Sequence, residues 1–109
     1  MSKDLKMVIK LIITSCIDIV ENKHSREVND LLVEELSELI QAVVKLERWD
    51  NGETTLRHNI DEIYNNIYEE LADVIIMLFQ FIYKNKLSQE NLLNEITKKL
   101  IRFYETKQE

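Results

Sequence analysis

Glu34, Glu35 and Glu38 stand within Glu34-Glu35-Leu36-Ser37-Glu38-Leu39-Ile40, and Glu69-Glu70-Leu71-Ala72-Asp73-Val74-Ile75 repeats that pattern position by position. Both read as acid, acid, Leu, small residue, acid, aliphatic, Ile. On a helix, residues three apart share a face, which pairs Glu35 with Glu38 and Glu70 with Asp73. At about 100° per residue, Ala42 and Leu46 flank Glu35 by about 20° on either side. Glu70 is flanked in the same way by Met77 on one side and by Ile63 and Phe81 on the other. Both carboxylates therefore point into apolar arcs, and two unrelated helices rarely share that misfit.

Four carboxylates brought together in a partly apolar site repel one another unless something positive lies between them. Hard oxygen donors with no His or Cys beside them suit Mg²⁺, or Mn²⁺, better than zinc. A ferritin-like di-iron site would need a His three residues after a Glu. The chain has only His24 and His58, and neither is so placed. The spacing therefore leaves two readings open: Glu35, Glu38, Glu70 and Asp73 hold a divalent cation, or they form a solvated acidic stripe.

The elements that must position these residues follow from the apolar periodicity. A first helix is expected from about Asp4 to Glu21. A second starts near Ser25 as N-cap and runs to Arg48 or Trp49, with Asp50-Asn51-Gly52 ending it. Glu53 to His58 read as a polar connection. Asn59 with Glu62 three residues on resembles a capping box for a third helix from Ile60 to about Lys84. Ser88 caps a fourth that reaches Tyr104 or beyond, with Leu92, Leu93, Ile96, Leu100 and Phe103 as its apolar face. This is an all-α chain, a four-helix bundle by its short connections. The apolar arcs of the second and third helices cover more than half the wheel, which predicts a homodimer or homotetramer.

Composition agrees. The 109 residues are expected to form one domain, 1–109, with 45% hydrophobic and 31% charged residues. A single glycine and no proline leave little of the punctuation that β-hairpins need. The net charge of −6 is the wrong sign for a general nucleic-acid binder, so no polymeric nucleic acid is expected as partner. The first helix faintly resembles a signal peptide, but Lys10 and Asp18 interrupt it and no small-residue cleavage site follows. No stretch has the length and apolarity of a membrane span. With the lone Cys16 excluding an internal disulfide, a cytoplasmic protein is expected.

Several basic and aromatic side chains could serve a phosphate-bearing ligand. Lys45 lies two turns beyond Glu38 at nearly the same angle, and Lys84 extends the stripe of Asp73. Lys98, Lys99 and Arg102 add positive charge on the last helix. Each could meet phosphate oxygens or simply balance surface acids. Trp49 could stack on a base or pack. Tyr64, Tyr68, Phe79, Phe81 and Tyr83, at helical spacing, read as core.

Taken together, Glu34-Glu35-x-x-Glu38 followed by Glu70-x-x-Asp73 resembles the EExxE…ExxD signature of MazG-like all-α nucleoside triphosphate pyrophosphohydrolases. The flanks from Leu32 to Ala42 and from Glu69 to Leu78 share the likeness, which extends from about Ser25 to Tyr104. The resemblance implies that Glu35, Glu38, Glu70 and Asp73 hold Mg²⁺ on nucleotide phosphates. It implies hydrolysis of a triphosphate to a monophosphate and pyrophosphate, a nucleotide-pool house-cleaning reaction. Glu34 would be an acid acting through its neighbours, or the base that takes the water's proton, or a solvated neighbour. Two features depart from the pattern. The stretch between Glu38 and Glu70 is long, so Trp49–Asn59 reads as an insertion near the substrate mouth. The segment Lys99-Leu100-Ile101-Arg102-Phe103-Tyr104 also lacks the Asn that relatives carry. The competing reading is a helical interaction module that kept the bundle and lost turnover.

Overall fold

The computed structural model describes residues 2–24, 27–53 and 59–108. Four α-helices carry almost all of these residues: α1 (Lys3–Ile19), α2 (Val28–Asp50), α3 (Ile60–Lys84) and α4 (Gln89–Gln108). No strand occurs among the described residues, as the periodicity predicts. None of the described helices is long and apolar enough to cross a membrane.

The helix ends follow from local chemistry. Ser2 caps α1, its hydroxyl oxygen accepting the Leu5 amide at 3.1 Å. A π-helical turn, Val20–His24, continues α1 past the end near Glu21 expected from the sequence. The proposed cap Ser25 lies outside the described residues, and Glu27, which precedes α2, makes no side-chain cap. At the other end of α2, Gly52 adopts φ +78°, the left-handed conformation expected of it. Asn59 caps α3 as expected: its side-chain oxygen accepts the Glu62 amide at 2.9 Å. The Ser88 hydroxyl accepts the Asn91 amide at 3.2 Å at the start of α4. Replacing Asn59 by Ala should therefore destabilise the fold by about 1 kcal/mol and lower Tm by roughly 4–8 °C, as read by thermal denaturation in circular dichroism.

α2 and α3 are antiparallel. Asn85, just past α3, donates to Asn29 near the start of α2 at 3.3 Å, and Met77 packs with Val28 and Leu32. α1 lies along α3. The Cys16 thiol donates to the Ile76 carbonyl at 3.6 Å, and the Tyr83 hydroxyl donates to the Glu21 carboxylate. Val20, Val28, Leu32 and Met77 form the core where these three helices meet, with Leu31 and Phe81 against it. From there a line of buried residues, Ala42 on α2 with Val74 and Ile63 on α3, runs along the pair.

Two expectations are corrected. Tyr64, Tyr68 and Tyr83 are exposed rather than core; Tyr64 and Tyr68 occupy positions on α3 that turn away from α2, and the Tyr83 hydroxyl reaches out to the Glu21 carboxylate. The apolar face of α4 is also uncovered: every described side chain from 89 to 105 is exposed. The core of the single chain is thus built by α1, α2 and α3.

Candidate metal centre

The line of buried residues between α2 and α3 is interrupted once on each helix, and acids fill both interruptions. Glu35 and Glu38 fall between buried Leu32 and Ala42, and Glu70 falls between buried Ile63 and Val74. The antiparallel register sets the two gaps opposite each other. One carboxylate oxygen from each of Glu35, Glu38 and Glu70 lies within 4.8 Å of the others. All three side chains are half-buried.

Glu35 Oε2 and Glu70 Oε2 are buried and have no hydrogen-bond partner, an arrangement that costs free energy unless a donor or cation completes it. Burial, then the charges of Asp73, Glu38 and Glu70, and then contact with the Glu38 carboxyl push the Glu35 carboxyl up to about 7. Glu70 is raised too, by burial first, then by hydrogen-bonding contact with Glu38 and by the charges of Glu38, Asp73 and Glu69. Glu38 acts on both of the others, and one of its carboxylate oxygens lies within 4.8 Å of a carboxylate oxygen on each.

The donor set fits a hard divalent cation. It consists of carboxylate oxygens without nitrogen or sulfur, and Glu35 and Glu70 each carry a buried oxygen without a hydrogen-bond partner. Such a cation would offset the burial and the mutual repulsion that raise Glu35 and Glu70.

The other residues singled out from the sequence are placed unevenly. Asp73 is exposed, one turn beyond Glu70, outside the three-acid cluster but close enough for its charge to act on Glu35 and Glu70. Glu34 is exposed, one turn before Glu38. Lys45 is half-buried on α2, about 10 Å along the axis from Glu38 toward the helix end. Trp49, 37% exposed, lies about a turn further on. Lys84 is half-buried in the last turn of α3, about 16 Å along that helix from Asp73 and toward the opposite end of the pair from Lys45. Lys99 and Arg102 are exposed on α4, and Lys98 pairs with Glu95 at 3.3 Å. Along the helix pair, Lys45 and Trp49 therefore lie on one side of the acids and Lys84 toward the other end.

The fold thus defines an all-α chain with acids from two antiparallel helices set against each other, a candidate divalent-cation site. A family model described as the MazG nucleotide pyrophosphohydrolase domain matches residues 23–106. This is most of the chain, including α2, α3 and all the acids above, and the chain belongs to that family. The comparison with curated proteins returns no match, and neither does the comparison with solved structures.

Proposed function

We propose that this chain hydrolyses a nucleoside triphosphate, ribo or deoxy, to the monophosphate and pyrophosphate, with Mg²⁺ as cofactor and Mn²⁺ as a substitute. The observation that carries the reading is the convergence of Glu35, Glu38 and Glu70 with two buried carboxylate oxygens unpartnered. Family membership supplies the reaction class.

Glu35, Glu38 and Glu70 would hold the cation, with Asp73 at the open edge of the cluster. When bound, such a cation neutralises phosphate oxygens and lowers the pKa of a water. The chain's own contribution is placement. The carboxylates sit on two long helices, held by the Val28–Leu32–Met77 packing at one end and by Ala42 and Ile63 toward the other. Rigid helices fix donor positions better than loops do. Glu34, exposed one turn before Glu38, would take a proton from a water at the cluster. Lys45 lies within reach of a phosphate chain that starts at the acids, and Trp49 beyond it offers a face for a base.

The test is pyrophosphate release from a panel of ribo- and deoxynucleoside triphosphates, with and without Mg²⁺. At least one nucleotide should yield monophosphate and pyrophosphate in equal amounts, and only with metal. Full activity in excess chelator, orthophosphate as the product, or no turnover of any nucleotide would each overturn the reading. The last result would leave a helical interaction module.

A further inference from the structure

We infer that the cleft between α1 and the start of α4 binds a single-chain anionic amphiphile, a long-chain carboxylate. A cavity of about 330 Å³ opens where Ile13 and Ile17 of α1, Phe79 and Ile82 of α3, and Leu92 and Leu93 of α4 come together. None of the described residues lining it is charged. Phe79 stands nine residues beyond Glu70, about 180° around α3. The cavity and the acids therefore occupy opposite faces of one helix, and the cavity is separate from the metal centre.

A second depression, of about 260 Å³, lies further toward the start of α1 and is lined by Lys6, Ile9, Lys10, Ile13 and Thr14. Ile13 lines both. Ile9, Ile13 and Ile17 recur every fourth residue, so they form one apolar stripe along α1 that floors the two depressions in turn. From Ile17 to Lys6 the floor runs about 16 Å.

Charge at the two ends selects the occupant. Lys6 and Lys10 are exposed in a chain of net charge −6, and no acid is among the described residues lining their depression. Neither ammonium has an ion-pair or hydrogen-bond partner among the described residues. The Thr14 hydroxyl is already donated to the Lys10 carbonyl at 2.8 Å, so the groups left to meet a ligand there are the two cations. At the other end Tyr83 lines the cavity, and its hydroxyl donates to the Glu21 carboxylate. An anionic head is thus drawn to the lysines and repelled from the apolar end, which fixes its orientation. An apolar cavity of ~150 Å³ admits benzene, so this one suits a tail of about a dozen carbons. Leu92 and Leu93, 42% and 61% exposed, would be covered by such a tail.

The test is titration calorimetry of the full chain with dodecanoate below its micellar concentration, with no nucleotide or metal present, so the result is independent of the enzymatic reading. One dodecanoate per chain should bind with a Kd below ~1 mM. From octanoate to dodecanoate, each added methylene should tighten binding by up to ~4-fold. Dodecyltrimethylammonium, with the same tail and the opposite charge, should bind at least ~5-fold more weakly. The double variant Lys6→Gln, Lys10→Gln changes only exposed side chains and should lose that preference, weakening dodecanoate by ~5-fold. Ile17→Trp, which fills the cavity, should abolish binding of both amphiphiles, with circular dichroism reporting its fold. Should Ile17→Trp fail to fold, the lysine variant and the comparison of heads still decide. Absence of saturable dodecanoate binding, equal affinity for the two heads, or unchanged dodecanoate affinity in the lysine variant would overturn the inference. Binding retained by a folded Ile17→Trp protein would do the same. Sedimentation with phosphatidylglycerol vesicles, lost in the lysine variant and without binding of monomeric dodecanoate, would assign the lysines to a membrane surface instead.

Discussion

Glu38→Gln should lower Mg²⁺-dependent pyrophosphate release at least ~100-fold, the scale of losing one well-placed electrostatic group in an active site. Glu38 has a carboxylate oxygen within 4.8 Å of both Glu35 and Glu70 and raises both, so its neutral amide removes a charge from the centre of the donor set. Glu70→Gln should lose activity on the same scale, since it removes the carboxylate that α3 brings to the three-acid cluster. Glu69→Gln alters an exposed neighbour and should retain activity within about 3-fold, as surface changes usually do. Two measurements separate a lost site from a lost fold. Mn²⁺ binding, followed by electron paramagnetic resonance, should weaken with turnover in Glu38→Gln and Glu70→Gln, while far-ultraviolet circular dichroism stays that of the wild type. If both variants turn over nucleotide at the wild-type rate, these acids are not the metal centre.

Much of this site was legible in the sequence because helical geometry is nearly rigid. Once Glu35 and Glu70 are placed on wheels, the residues beside them are fixed, and only the pairing of α2 with α3 remains to be supplied by packing. The caps Asn59 and Ser88 and the left-handed Gly52 were legible for the same reason, since each depends on a few adjacent residues. What the sequence could not supply is which apolar face the chain itself covers. Tyr64 and Tyr68 have the periodicity of core residues, and so does the stripe on α4, yet both are exposed in the single chain. Periodicity reports that a face is to be buried and does not say by what. The same limit applies to Lys84, Lys99 and Arg102: their charge was visible, but their distance from the acids depends on register and on the course of α4.

Replacing Glu35 by Gln should stabilise the metal-free protein and abolish its stabilisation by Mg²⁺. In the folded chain the Glu35 carboxyl is pushed from an ordinary 4.5 up to about 7, chiefly by burial and then by Asp73, Glu38 and Glu70. Between those two values the folded chain holds a proton that the unfolded chain has released. Metal-free stability therefore falls as pH rises from about 4.5 to about 7 and stays low above that window. Below it both states are protonated and the contribution vanishes. Gln cannot ionise, so in chelator at pH 8 the variant should melt about 2–5 °C above the wild type, a modest effect because solvent reaches the half-buried cluster. At pH 4 the difference should largely close. Saturating Mg²⁺ should reverse the order at pH 8, since a ligand bound only to the folded state adds about 2.7 kcal/mol at 100 times its Kd. The variant, lacking one charged donor, should gain much less. Glu34→Gln, at the exposed neighbour, should follow the wild type in both conditions. Melting curves of the three proteins at pH 4 and 8, in chelator and in millimolar Mg²⁺, decide the matter. A Glu35→Gln protein that melts below wild type in chelator, together with no Mg²⁺ shift in any of the three, would mean that Glu35 is a structural residue and that the cluster holds no cation.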